Sequence, residues 1–307
     1  MFQPIAFGSS STGDMSAFAK LLAPQEVQVS VTVDDGFHFD DTSEFRVLHQ
    51  IEPPEVLDCV DKIIAHHGFY DLILCWNQRI LEACPNARLF PQSVCTWMEY
   101  GYKPWCDLNV PKQMECDASK KKFQCSFLTS NKGWAPGHKL RLEIFDRLPE
   151  KVGDLPIVKV MTPPWVPDKR AYLDEYQFTV TPENASHENW YDDKIVDALM
   201  AKTIPIFWGC PNIKNYFNMD GIIHFKTIEE LMSKLYLITP GYYERHYDAV
   251  LDNMGRALKG VHTWHRMDLE ITAGIERRKQ GDVRPDISFF TPERPPYSYG
   301  FRPLRKP

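Results

Sequence analysis

Short strand-like runs alternate with helix-like segments along most of the chain, and this alternation constrains the fold more than any other feature. Within the first hundred residues, 27–33 alternates polar and apolar side chains, 45–50 is a second short strand, and 71–76 is a continuous apolar run. Apolar residues recur at helical spacing over 56–66. A continuous apolar strand is typical of a parallel sheet covered on both faces, so this part of the chain predicts an α/β domain.

An irregular segment rich in Gly and Pro interrupts the pattern at about 100–120, and the alternation then starts again. Two such alternations joined by a linker predict an α/β protein with two Rossmann-like, doubly wound domains facing a cleft. The predicted boundaries are 1–118 for the first domain, 119–284 for the second, and 285–307 for a tail rich in Pro and Arg. Within the second domain, strands are predicted at 123–128, 157–160, 176–180, 204–208 and 222–225, and helices at 139–148, 193–202 and 228–237.

The composition is that of a folded, soluble protein, because 43% of the 307 residues are hydrophobic and 25% are charged. The net charge of −6 argues against a nucleic acid as the main partner, since proteins that bind phosphate backbones carry a basic excess. No run approaches the ~18–20 apolar residues of a membrane span, and the N-terminus lacks the features of a signal peptide. Eight scattered cysteines without metal-type spacing favour reduced, buried thiols, so we expect a cytoplasmic protein.

The stretch 178–209 carries the residues with the most chemical content. A predicted strand leads into a polar loop with Glu183 and Asn184, and a helix then begins at about Asp193 and Lys194. Free backbone N–H groups and the helix dipole attract an anion to such a helix start, and the lysine adds a positive charge. The carboxylate beside it can accept hydrogen bonds from sugar hydroxyls, so these parts suit a sugar nucleotide. The alternative is that Asp193 only caps the helix and that Lys194 is solvated.

The spacing of these residues resembles the donor-site signature of the α-1,3/4-fucosyltransferases, glycosyltransferase family 10. Eight residues separate Glu183-Asn184 from Asp193-Lys194, and the later run T-I-P-I-F-W-G-C-P is similar to bacterial members. One position departs from the pattern, because the family usually has Thr-Glu-Lys where this chain has Asp192 before Asp193-Lys194. The resemblance implies donor-binding roles for seven residues: Arg141, Glu183, Asn184, Trp190, Tyr191, Asp193 and Lys194.

The resemblance also implies a fold and a reaction. Members of the family have a GT-B fold and transfer L-fucose from GDP-fucose to a glycan hydroxyl in one inverting displacement, without a metal or another cofactor. On this basis 119–284 is the donor-binding domain and 1–118 is the acceptor side, with a nucleotide sugar and a glycan as partners. Arg141 and Lys194 would contact the diphosphate, and Asp193 the ribose or sugar hydroxyls. Trp190 and Tyr191 either line the donor pocket or pack in the core.

A single displacement of this kind needs one general base to take the proton of the attacking hydroxyl. In the family this base is a Glu in a short motif at a strand end, and Glu52, which follows the strand-like segment 45–50, occupies the matching place. Pro53 and Pro54 stiffen the loop after it. Glu99 is the second candidate for the base.

The remaining charged groups are interpreted as structural. Asp34-Asp35 and Asp40-Asp41 are expected in a solvated loop rather than a metal site, and the lysines at 120–122 are expected on a solvated flank. Two alternatives to fucosyl transfer stay open. One is a glycosyltransferase of the same fold that uses another nucleotide sugar, and the other is a non-catalytic glycan-binding module.

Overall fold

The computed structural model describes residues 1–10, 15, 19–20, 22–95, 116–162, 169–261 and 263–281. Three parts of the sequence analysis fall outside these ranges. They are the second candidate base Glu99, most of the predicted linker at 100–120, and the predicted tail at 285–307.

The first sheet has five parallel strands in the simple order β1-β2-β3-β4-β5. They are β1 Ile5–Phe7, β2 Val29–Val33, β3 Phe45–His49, β4 Leu72–Cys75 and β5 Ala87–Leu89. On one face, Leu48 and Ile73 pack against Val60 and Ile63 of helix α1 Val60–His66. Helix α2 Gln78–Ala83 completes this cover.

The second sheet has the order β11-β10-β9-β6-β8-β7. Its strands are β6 Lys122–Ser130, β7 Lys151–Val152, β8 Leu155–Thr162, β9 Tyr176–Pro182, β10 Ile204–Trp208 and β11 Ile223–His224. All neighbours are parallel except β7 and β8, which form a short antiparallel pair. From β6 the chain proceeds to β8 on one side and later to β9 on the other. The carboxyl ends of β6 and β9 therefore form a topological switch point, where ligands bind in open α/β sheets.

Helices cover both faces of the second sheet. They are α3 Pro136–Arg147, α4 Arg170–Leu173, α5 Asp193–Met200, α6 Ile228–Tyr236, α7 Tyr242–Arg245 and α8 Tyr247–Gly260. One core joins β-strand residues such as Phe178 and Ile206 to Ile144 of α3 and Leu231 of α6. The other joins α5 to α8 around Phe207.

Helix α9 Thr263–Lys279 crosses back to the first sheet. Met267, Ile271 and Ile275, spaced four residues apart, pack on the face of that sheet opposite α1. At Gly274 a Cβ atom would lie 2.7 Å from Phe45 Cζ, so a larger residue would push against this buried ring. Helices α8 and α9, like the short α2, α4 and α7, were not predicted, and the predicted second domain covers all of 119–284. The structure instead places 263–279 in the core of the first sheet.

Most of the strands and helices that the sequence predicts occur in the structure, and the α/β class with two sheets is confirmed. The predicted strand at 204–208 matches β10, whereas the helix predicted from 56 begins at Val60. Residues 53–56 instead form a turn, in which the amide of Val56 donates to the carbonyl of Pro53. The strands β5 and β7 were not predicted, because they have only three and two residues. None of the described helices combines the length and the apolar character needed to span a membrane.

The prediction of a solvated flank at 120–122 is wrong for its central residue. Lys121 is buried, and its Nζ donates to the carbonyls of Leu173 at 2.6 Å, Asp174 at 3.1 Å and Tyr176 at 3.1 Å. It also donates to Thr203 Oγ1 at 2.8 Å. Burial lowers the pKa of Lys121 to about 8. This lysine ties the start of β6 to the start of β9.

Candidate functional site

Two helix starts meet the carboxyl end of β9 at the switch point. Helix α3 begins with Pro136, which is favoured in a first helical turn because its missing N–H needs no partner there. The amide of Gly137 donates to the carbonyl of Asn184 at 2.9 Å. A Cβ atom at position 137 would lie 1.7 Å from the carbonyl oxygen of Glu183. The chain after β9 therefore lies directly on the first turn of α3, and glycine makes this possible.

Glu183 is completely buried and holds the start of α5. Its Oε1 accepts the amide of Asp192 at 3.1 Å, and its Oε2 lies 3.1 Å from Lys194 Nζ. Lys194 Nζ also lies 3.0 Å from Asp193 Oδ1. Burial by itself would lower the pKa of Lys194, but the charges of Asp193 and Glu183 raise it. Lys194 is therefore a partly buried, permanently charged cation rather than a solvated residue.

Asp193 lies between two lysines. Its carboxylate pairs with Lys194 on one side and with Lys169 on the other, and Lys169 Nζ is also 3.1 Å from Asp197 Oδ2. Burial acts to raise the pKa of Asp193, yet the two lysines lower it well below the usual range. The residue is thus ionised and ion-paired, and this excludes the alternative in which it only caps the helix.

Arg141 reaches the same place from α3. It is buried, and its guanidinium donates to the carbonyl of Pro182 at 2.8 Å and to Asn184 Oδ1 at 3.0 Å. Burial, together with the cations Arg141, Lys132 and Lys194, lowers the pKa of His138 to about 4. The imidazole is therefore neutral near pH 7, and the positive charge of the site comes from the lysines and Arg141.

Trp190 and Tyr191 are packing residues in this structure. Trp190 is 1% exposed and packs with Trp76 from the end of β4. Tyr191 is 5% exposed and contacts the rings of Tyr216 and Phe217 at centroid distances of 5.0 and 5.4 Å. Of the two interpretations left open by the sequence, packing describes both side chains.

Glu52 approaches the site from the first sheet, just after the carboxyl end of β3. Its backbone N–H donates to both carboxylate oxygens of Asp34, at 3.2 and 3.4 Å, and the amide of Ile51 donates to Asp34 Oδ1 at 2.6 Å. Asp34 has no exposed surface, so its assignment to a solvated loop is wrong. Burial raises the pKa of Asp34 to about 8, against the effect of the two amide donors.

The Glu52 side chain is half-buried, and the carbonyl of the preceding Ile51 accepts a hydrogen bond at 3.3 Å from Trp190 Nε1, in the loop before α5. Burial raises the pKa of Glu52, Lys194 and Lys132 lower it, and Asp193 raises it. These influences place the carboxyl group within electrostatic reach of the cations on the other sheet. The structure therefore brings the predicted base and the predicted Asp193-Lys194 pair together.

Four residues of the site were not singled out from the sequence as ligand-binding: Asp34, Lys132, Lys169 and Asp192. Lys132 follows the predicted strand 123–128, and its place after a strand end is a signal that could have found it. Lys169 has no comparable local signal, because only the fold brings it to Asp193. Among the described residues, no three His, Cys, Asp or Glu side chains are arranged to hold a metal ion. The seven described cysteines are buried.

Comparison with known proteins adds an independent line of evidence. No protein-family model matches the chain. Over 90 residues, 28% of this chain and 18% of the relative, it is 31% identical to the alpha-(1,3)-fucosyltransferase FucT of Helicobacter pylori. Over 65 residues, 21% of this chain and 13% of the relative, it is 32% identical to a fucosyltransferase-like protein of Arabidopsis thaliana.

Part of the chain is therefore similar in sequence to an α-1,3-fucosyltransferase and to a fucosyltransferase-like protein. The matched segments span less than a fifth of the length of these two relatives. A crystal structure of an alpha1,3-fucosyltransferase with GDP superposes with a TM-score of 0.51 at 17% identity, covering 92% of this chain and 94% of that one. This likeness and the two sheets confirm the GT-B fold that the family resemblance implied.

Proposed function

We propose that this protein is a glycosyltransferase that moves L-fucose from GDP-fucose to a hydroxyl group of a glycan, with inversion and without a metal. The observation that carries the proposal is the hydrogen bond from Trp190 Nε1 to the carbonyl of Ile51, which brings the segment of Glu52 to the loop that leads into Asp193-Lys194. A carboxylate base and a group of cations on facing sheets are the two parts that such a displacement requires.

In the proposed reaction, the acceptor oxygen attacks the anomeric carbon of the donor while the bond from that carbon to the phosphate oxygen breaks. Glu52 takes the proton of the acceptor hydroxyl, and GDP leaves with the electron pair of the broken bond. Lys194, with Lys132 beside the same carboxyl group, balances the charge that develops on the diphosphate. The start of α3 contributes the positive end of its dipole.

The residues near the diphosphate have different parts in this proposal. Lys194 is 23% exposed at its side chain and can contact a phosphate directly. Glu183 is fully buried, so it acts by holding Lys194 and the amide of Asp192 in place. Arg141 fixes Pro182 and Asn184, and its remaining N–H groups are those available to a phosphate.

Calorimetric titration with GDP and GDP-fucose tests the donor assignment. Lys194→Ala is expected to weaken binding of both ligands by roughly tenfold or more, because a charge-assisted contact is lost. Lys151→Ala, on the exposed short strand β7, is the matched control and should bind as the wild type does. If the wild type binds neither ligand at millimolar concentration, the donor assignment is wrong.

Turnover separates the alternatives. A panel of GDP- and UDP-sugars with a glycan array as acceptor shows which donor is used and which glycan receives the sugar. Transfer of a sugar other than fucose would support a glycosyltransferase of the same fold that uses a different nucleotide sugar. Glycan binding without turnover of any donor would support the non-catalytic module instead.

A further inference from the structure

Asp192 occupies the position just before helix α5, where an aspartate normally caps the helix. A capping carboxylate accepts a hydrogen bond from the second or third amide of the helix. Asp192 has the extended backbone of a capping residue, with φ −138° and ψ −161°, yet its side chain makes no such bond to the described helix. Its backbone N–H donates to Glu183 Oε1 at 3.1 Å, so the backbone is fixed although the carboxyl group makes no capping bond.

The surroundings of Asp192 define what its carboxyl group faces. Burial and the charges of Asp193, Glu183 and Glu52 raise the pKa of Asp192, while Lys194 lowers it. Glu52 follows a strand of the other sheet, and Trp190, two residues before Asp192, donates to the carbonyl of the neighbouring Ile51 at 3.3 Å, so Asp192 lies close to the boundary between the two sheets. The side chain is half-buried and has no ion pair within the described part of the chain.

The order of diphosphate, sugar and acceptor hydroxyl in the reacting complex decides which of these groups lies beside Asp192. The diphosphate must lie at Lys194, and the reacting carbon must lie between the diphosphate and the acceptor hydroxyl at Glu52. The sugar ring therefore occupies the space that Asp192 borders. A diphosphate would be repelled by a carboxylate there, whereas sugar hydroxyls form hydrogen bonds with a carboxyl group in either protonation state.

We propose that Asp192 binds the hydroxyl groups of the donor sugar and so selects the sugar that is transferred. The inference rests on the proposed function, since it assigns a role within the same donor site. Asp193 and Lys194 are engaged with each other and with Lys169 and Glu183, which leaves Asp192 as the neighbouring carboxyl group free to turn to a ligand.

The test compares GDP with GDP-fucose in calorimetric titrations of the wild type, Asp192→Ser and Asp146→Ala. Serine is a good helix cap, so Asp192→Ser removes the carboxyl group without weakening the start of α5. Asp146 is exposed on α3 and serves as the control. In the wild type, GDP-fucose is expected to bind more tightly than GDP. In Asp192→Ser this advantage should fall by roughly tenfold, with the affinity for GDP unchanged or increased.

The outcomes distinguish the inference from the proposed function. If the wild type binds GDP-fucose no better than GDP, or if Asp192→Ser weakens both ligands equally, Asp192 has no role in sugar binding although the donor site stands. If the wild type binds neither ligand, the proposed function fails and this inference fails with it.

Discussion

The indole nitrogens of Trp76 and Trp190 donate to the same backbone oxygen, that of Ile51, at 3.0 and 3.3 Å. Trp76 follows β4 of the first sheet, and Trp190 lies in the loop before α5 of the second. Ile51 is the residue before Glu52. Close by, His187 Nε2 lies 2.9 Å from Glu55 Oε2 across the same boundary. The contact between the two halves thus fixes the backbone that carries the proposed base.

Trp190→Phe keeps an aromatic ring but removes one of these two donors. We expect a loss of about 1–2 kcal/mol in the free energy of unfolding, from the missing hydrogen bond and the smaller ring. The rate of transfer should fall more than the affinity for GDP, because the change acts on the Glu52 loop. Trp134→Phe is the control for urea unfolding: Trp134 is 58% exposed, and its change should cost less than about 0.5 kcal/mol.

Asp34→Asn tests the buried carboxyl group under the Glu52 loop. The pKa of Asp34 is about 8 in the folded protein, above its ordinary value of 3.8. The folded state therefore binds the proton more tightly than the unfolded state. Its contribution to stability is complete below pH 4 and is lost as the pH rises towards 8, by at most about 1.4 kcal/mol per pH unit.

Asparagine cannot ionise, so the variant lacks this contribution to the pH dependence. Urea unfolding at pH 5 and pH 7.5 should show a smaller difference for Asp34→Asn than for the wild type. An equal pH dependence in both proteins would mean that Asp34 does not titrate as a buried carboxyl group.

Glu52→Gln tests the proposed base. Removing a general base typically lowers the rate by about 10²–10⁴-fold, and we expect a loss in this range with GDP-fucose affinity retained. Since burial raises the pKa of Glu52, the acid side of the wild-type pH–rate profile should lie above the ordinary range of a glutamate. Glu150→Gln, on an exposed residue, is the control. If Glu99→Gln abolishes transfer and Glu52→Gln does not, the base is Glu99.

Glu183→Gln removes the buried partner of Lys194. Breaking a buried ion pair costs about 3–5 kcal/mol, and Asp193 still pairs with the lysine, so a loss of about 2–3 kcal/mol in the free energy of unfolding is expected. Glu175→Gln breaks an exposed pair with Lys122 and should cost less than about 1 kcal/mol. Equal losses in the two variants would contradict the buried role of Glu183.

Gly137→Ala places a methyl group where the structure has no room. Its Cβ would lie 1.7 Å from the carbonyl oxygen of Glu183, so α3 and the chain after β9 must separate. We expect loss of GDP binding together with a lower unfolding midpoint. Gly255 in α8 has nothing within 4 Å of its Cβ direction, and Gly255→Ala should raise stability by about 0.5–1 kcal/mol because alanine favours a helix.

Much of the fold could be predicted because its elements are encoded locally. The apolar run I-P-I-F-W predicts β10 at the residues where it occurs, and the spacing of apolar residues after Asp193 predicts α5. The eight-residue spacing from Glu183-Asn184 to Asp193-Lys194 carries the resemblance to the donor-site signature, and both pairs lie in one strand–loop–helix unit. Short strands such as β7 contain too few residues to show a pattern.

The sequence by itself determined the α/β class and the position of the loop with Asp193 and Lys194, whereas Glu52 is a candidate base only through the family resemblance. Only the tertiary structure decided which residues of the site are exposed to a ligand and which are buried and keep the exposed ones in position. Burial of Asp34 and Lys121, the pairing of Lys169 with Asp193, the shared carbonyl of Ile51 and the return of α9 to the first sheet all depend on residues far apart in the chain. Such contacts form only when strand order and helix packing bring distant segments together, and no local pattern records them.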